Sequence, residues 1–234
     1  MNLIMKKKIF NYNELQLIGQ SVLFNNSYLH SVSQTVLLAE SSLRFPIAEC
    51  LERRIHASEI FLEYQHPLFK NRRIDIFWRH ENEDNAFELK FVKSGFRSKE
   101  SIQRVFNDII RLAYCSKEGM NSYFLACGKT DDYNAEFKRI NHVQTEQDII
   151  NRNFKSNNSI YGSLLSFDQD NPHKEVCLSG FSNYFNCFCE QYKCRGGKKL
   201  ENDLNCITSL VYHSNNPSQL FPYTVSIWEI QYSE

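Results

Sequence analysis

Two strand-length runs, RIDIFW at 73–78 and AFELKFV at 86–92, constrain this chain more than any other feature, because each sets charged side chains among large apolar ones. The polar turn RHENEDN, residues 79–85, separates them. Successive side chains of a strand point to opposite faces. Arg73, Asp75 and Phe77 are therefore expected on one face and Ile74, Ile76 and Trp78 on the other, while Glu88, Lys90 and Val92 oppose Phe87, Leu89 and Phe91. Paired as a hairpin, the runs bring Asp75, Glu88 and Lys90 together over an apolar reverse face. The plainer account is a half-exposed hairpin whose Asp75 to Lys90 ion pair is worth less than about 1 kcal/mol.

The neighbouring segments extend this pattern. IFLEY (60–64) adds a strand before the two runs, giving three consecutive strands of one sheet. From Lys99 to Cys115, Ile102, Val105, Phe106, Ile109, Leu112 and Ala113 recur at three- and four-residue spacing, with Ser98 placed as N-cap. That spacing predicts an amphipathic helix. SYFLACG (122–128) is an unbroken apolar run, as in a strand covered on both faces. Upstream, residues 14–40 carry apolar groups at helical spacing. FPIAECLERRI, from Phe45, predicts a short helix with Pro46 in its first turn and Ile47, Cys50, Leu51 and Ile55 on one side; Glu49 lies off that stripe.

Residues 141–173 are rich in Asn, Gln, Ser and Asp, with KSNNS and DQDNPH as turn signals. Beyond them YFNCFCEQYKC (184–194), the basic turn RGGKK (195–199), NCITSLVYH (205–213) and YTVSIWEI (223–230) suggest an antiparallel sheet. The expected organisation is thus a core over 1–140 with N-terminal helices and a β-rich extension over 141–234, with the two parts able to share one sheet.

Composition excludes several classes. The 234 residues carry 27 basic and 27 acidic side chains, so no global charge pulls the chain toward nucleic acid and any phosphate-binding surface is local. No run approaches the roughly 18 apolar residues of a membrane span. MNLIMKKKIF lacks the apolar stretch of a signal peptide, and Cys50, Cys115, Cys127 and Cys177 lie far apart among apolar residues. A reduced, cytoplasmic protein is expected. Cys187, Cys189, Cys194 and Cys206 are spaced poorly for a thiolate knuckle, so structural zinc is not expected.

The order helix, strand, acid-bearing strand, E-x-K strand, helix, strand over residues 46–128 resembles the core of the PD-(D/E)XK nuclease superfamily, the restriction-endonuclease-like fold. Its carriers are Glu49, RID ending at Asp75, and ELK at 88–90. Residue 74 is Ile where the motif's name has Pro. The resemblance implies an α/β fold, an α+β mixed sheet flanked by helices, in which Asp75 and Glu88 ligate Mg²⁺ with Mn²⁺ able to substitute. It further implies that Lys90 is the catalytic lysine and that Glu49 is an auxiliary acid and metal ligand. Some branches carry a Gln on the following helix with a Tyr four residues later; Gln103 matches, and Asn107 stands in place of the Tyr.

The chemistry suits those residue types. Mg²⁺ is usually held by one or two carboxylates plus substrate phosphate oxygens. Lys90 could act as a base only with its pKa pulled down by desolvation and the nearby cation, so positioning is the expected role. Lys93, Arg97 and Lys99 of the loop KSGFRSK, with Arg73 and Arg104, are the expected nucleic-acid contacts, although solvated charge is the default for such groups. DNA is expected over RNA, in restriction or phage defence, with no membrane. A symmetric dimer would suit cutting both strands, and a regulatory or defence-system protein is a further expected partner. The alternative is a catalytically inactive nuclease-like fold that binds nucleic acid or protein.

Overall fold

The protein is described from a computed structural model covering residues 12–80, 82–138, 160–195, 200, 203–215 and 222–233. Helix α1 (Tyr12–Ser31) turns Leu15, Ile18, Val22 and Leu23 inward at three- and four-residue spacing. At Gly19 it approaches the sheet so closely that a Cβ there would collide with the Tyr212 ring.

Helix α2 begins at Glu40 and runs to Cys50, five residues earlier than the Phe45 start expected from Pro46. Pro46 therefore sits inside the helix, where it cannot donate to the carbonyl of Ser42. Asn25 of α1 supplies the missing donor, its Nδ2 lying 3.2 Å from Ser42 O. A tertiary contact thus lets α2 extend through a residue that would otherwise mark its start. The consequence is that Glu40 and Arg44 become helical.

Strands β1 (Glu59–Gln65), β2 (Arg73–His80) and β3 (Glu83–Val92) follow, then α3 (Lys99–Lys117) and β4 (Asn121–Lys129). Ser98 caps α3 by accepting from Ser101 N at 3.2 Å. Later elements are β5 (His173–Cys177), α4 (Ser182–Gln191), β6 (Asn205–Asn215) and β7 (Tyr223–Ser233). Among the described residues the seven strands form one mixed sheet in the order β1-β2-β3-β4-β7-β6-β5. The β3–β4 pair, bridged by α3, is parallel, and the other pairings are antiparallel. The fold is α/β with helices on both faces. Leu43 and Ile47 of α2 join α1 against Trp78, Phe87, Leu89 and Ile227 on one face. On the other, Val105, Phe106 and Ile109 of α3 and Phe185 and Phe188 of α4 pack against Ala86, Val92, Phe124 and Trp228.

The segment expected as a strand at 184–194 is largely helix α4. Phe185 and Phe188 recur at helical spacing and are buried, while Phe181 and Tyr184 pack against Phe106 of α3, and this one-sided demand overrides the β-prone composition. Cys187 and Cys189 consequently point about 200° apart on a helix instead of sharing a strand face. Cys177, expected among apolar groups, is exposed. The segments on either side of the expected 140/141 boundary contribute to one sheet, and the boundary itself, residues 1–11 and the turn beyond Arg195 lie outside the described residues. Among the described residues no helix is long and apolar enough to cross a membrane.

Candidate active site

The site arises where β2 parts from β3. Their ladder runs from His80↔Glu83 to Ile76↔Phe87 and stops. At the next position Asp75 takes over with its side chain, Oδ2 accepting the backbone N–H of Leu89 at 2.8 Å. Ile74, expected beside Ile76 and Trp78, instead packs in the α3-side core. Across from this twist, Glu63 of β1 has φ 55°, a left-handed backbone that interrupts regular pairing. The gap admits side chains from both layers: Glu40 and Arg44 from α2, and Asp108 and Arg111 from α3.

These groups meet in a mostly buried ionic cluster around the expected triad. Lys90 Nζ lies 2.7 Å from Asp108 Oδ2 and 3.3 Å from Glu40 Oε1, and donates to the carbonyl of Leu89 at 3.1 Å. Arg111 bonds Asp108 through Nη2, which also lies 3.1 Å from Glu88 Oε1, while Nη1 donates to Arg73 O at 2.7 Å. Arg44 pairs with Glu63 and bonds Asp75 Oδ1 at 2.6 Å. Glu88 is 2% exposed and Lys90 7%. A solvated hairpin would leave both largely wet, so the plainer account of the sequence does not hold.

Burial pushes the Glu88 carboxyl well above its ordinary range; Arg111 opposes this, while Asp108 and Asp75 add to it. Glu40 is raised chiefly by burial as well, against the pull of Lys90. For Lys90 burial disfavours the charge, but Asp108, Glu40 and Asp75 outweigh it and raise the pKa. The downward shift a general base would need is absent, and Lys90 stands as an ammonium.

Asp75, Glu88 and Lys90 converge, Glu88 and Lys90 through the alternation of β3 and Asp75 through the break in the ladder that bonds its side chain to Leu89 N. Glu49 does not join them. At about 100° per residue it lies roughly 180° around α2 from Glu40, and its exposed carboxylate pairs with Arg53 at 3.1 Å beside a groove lined by Phe45, Ala48 and Leu62. The α2 carboxylate at the site is Glu40. Gln103 is spent on structure, its Nε2 donating to Asn107 Oδ1 at 2.7 Å and to Tyr184 O at 3.0 Å. Of the expected nucleic-acid contacts, Lys93 and Lys99 are exposed. Arg97 is engaged by Glu136, with Nε–Oε2 at 3.0 Å, and Arg104 pairs with Glu100 one helical turn away. Exposed Arg73 lies 4.0 Å from Glu63.

Glu40, Arg44, Glu63, Asp108 and Arg111 are site residues to which the sequence analysis gave no role. Asp108 is 4% exposed and Arg111 8%. A signal existed, because Asp108 lies three residues after Val105 and four before Leu112, inside the apolar stripe of α3.

Among the described residues, no group of three or more His, Cys, Asp or Glu side chains is arranged to hold a metal ion. The donor set nevertheless fits Mg²⁺ in kind, since Asp75 and Glu88 supply hard oxygens and two carboxylates suffice when waters and phosphate complete the shell. Glu88 Oε1 and Asp108 Oδ2 are buried without a well-aligned hydrogen bond, although cations lie beside both. Five carboxylates, Glu40, Glu63, Asp75, Glu88 and Asp108, face three close cations, Arg44, Lys90 and Arg111. The raised pKa of Glu88 favours a proton there, and a divalent cation would take that proton's place.

Comparison with known proteins gives no match, whether to family models, curated proteins or solved structures.

Proposed function

We propose that the protein is a Mg²⁺-dependent phosphodiesterase of the PD-(D/E)XK kind that cuts nucleic acid, DNA in preference to RNA, as a bacterial endonuclease of restriction or phage defence. The observation carrying this reading is the convergence of Asp75, Glu88 and Lys90, each under 10% exposed, at the break in the β2–β3 ladder. Asp75 and Glu88 would hold the cation, with Glu40 as the neighbouring third carboxylate. Bound there, it supplies charge neutralisation at the reacting phosphate and lowers the pKa of a coordinated water. The rest falls to the chain. The Leu89 N–H fixes the Asp75 carboxylate. Asp108 and Glu40 keep Lys90 charged, so it donates hydrogen bonds to the phosphate or to the attacking water and removes no proton itself. Such an enzyme acts in the cytoplasm under the control of a partner protein or signal.

The test is incubation of the full chain with plasmid, linear duplex, single-stranded DNA and RNA in Mg²⁺, Mn²⁺ or EDTA. Lys90→Ala is expected to abolish metal-dependent cutting while keeping the fold and metal binding, and Asp75→Ala to lose both cutting and metal affinity. Wild-type-like cutting by either variant overturns the site assignment.

A second reading is a nuclease-like core kept as a binding module. Its supporting observation is that Arg44 and Arg111 already lie against the two expected metal ligands. It predicts no cutting of any substrate and no heat of Mn²⁺ binding by calorimetry.

A further inference from the structure

From Leu15 to Ala39 the chain runs 25 residues without an Asp, Glu, Lys or Arg, although charged residues make up 23% of the sequence. A stretch of that length at the average composition would carry about six. Most of it is α1, whose inner side is already accounted for by the sheet. The outer side exposes Asn13, Leu17, Gln20, Phe24, Tyr28 and Ser31, a straight uncharged stripe about 27 Å long at 1.5 Å per residue. Phe24 is 77% exposed and Tyr28 57%, and Val36 in the turn that follows reaches 85%. Of the nine exposed large hydrophobic residues among those described, six lie between Leu17 and Leu37. A solvated helix face carries charges. Depletion of charge with enrichment of aromatic groups is the composition of a contact surface's centre.

The same absence of charge narrows the occupant. The stripe offers nothing to steer or register a charged partner, and it has no Lys or Arg to attract an anionic lipid surface. Against itself it meets no like-charge repulsion. Laid antiparallel about a two-fold axis midway along the helix, it sets Leu17 of one copy toward Tyr28 of the other, with small Ser21 letting the helices approach near Phe24. Two-fold self-complementary contacts of this kind are the commonest route to a homodimer. We infer that the outward face of α1, continued by the 32–37 turn, is the interface between two copies of this chain. The inference does not depend on the nuclease reading.

Sedimentation velocity on the full chain from about 1 to 100 μM, which brackets micromolar association, is the test. The expected result is a dimer that Phe24→Lys, alone or with Tyr28→Lys, converts to a monomer. Far-UV circular dichroism of the monomeric form should match that of a control variant at an exposed site on the opposite face of the sheet, Glu190→Lys, which should stay dimeric. A wild-type chain that stays monomeric throughout overturns the inference. So does a dimer that persists in the double variant. Flotation of monomeric protein with phosphatidylcholine vesicles would also overturn it, assigning the stripe to lipid.

Discussion

Replacing Asp108 with Ala removes the carboxylate shared by Lys90 and Arg111. Breaking an exposed pair in this way costs at most about 1 kcal/mol. Here the Asp108, Lys90 and Arg111 side chains are 6%, 8% and 10% exposed, so water cannot replace the missing partner. Stranding a buried charge costs about 3–5 kcal/mol. Lys90 keeps Glu40 at 3.3 Å and Arg111 keeps Glu88 at 3.1 Å, which places the expectation near the lower end, at about 3 kcal/mol. For a chain of this size that corresponds to a Tm lowered by about 6–12 °C. Urea unfolding followed by the fluorescence of Trp78 and Trp228, both fully buried, measures the loss by linear extrapolation. The double variant Lys90→Met, Asp108→Leu should recover much of it, because one of the stranded cations is gone as well. A loss below about 1 kcal/mol in the single variant would refute the account, since it would mean that the cluster behaves as a solvated surface.

The exchange of α2 acids gives a second expectation. Glu40→Gln should slow cleavage on the order of 10²-fold, the scale of removing one charge-stabilising group beside a reacting centre, whereas Glu49→Gln should stay within about twofold of wild type; equal effects in the cleavage assay would return Glu49 to the site. A third concerns acid. His66 is 0% exposed, its Nδ1 accepts the Leu68 N–H at 3.1 Å, and burial, aided by Arg111, lowers its pKa from 6.5 to about 3. The unfolded chain therefore binds the proton first, and stability falls as pH drops from about 6.5 toward 3. By pH 5 this amounts to about 2 kcal/mol, and His66→Asn, which preserves an acceptor for Leu68, should show a smaller difference between urea midpoints at pH 7 and pH 5.

What the sequence disclosed divides along a physical line. Strands β1 to β3 and helix α3 are legible because their apolar residues repeat with the period of their own element, and β4 because its apolar run is unbroken; alternation places Glu88 and Lys90 together, while Asp75 joins them through a break in the β2–β3 ladder that no period announces. The start of α2 is not legible, because it depends on Asn25 relieving Pro46 from another helix. Choosing Glu49 over Glu40 follows directly from that misplaced start. Helix α4 is hidden by a composition of Phe, Tyr and Cys that suits strands, while its spacing of Phe181, Phe185 and Phe188 suits a helix. Arg44 and Arg111 could not be assigned to the site without knowing that β2 leaves β3 at Ile76, an event set by Asp75 and Glu63 together.

The strand order carries a consequence for assembly. Parallel to β3 on one side, β4 is paired on its other side with β7, nearly a hundred residues further along, from Tyr123↔Glu229 to Lys129↔Tyr223. Until β7 is made and docked, the almost wholly buried strand β4 presents a bare edge of backbone donors and acceptors, the kind of surface on which chains aggregate. The segment holding all the candidate site residues therefore has a native shape that it cannot safely keep alone. Folding must wait for a distant strand, and contacts of such long sequence separation form slowly. If the chain is a nuclease, this delay also postpones activity on the growing polypeptide.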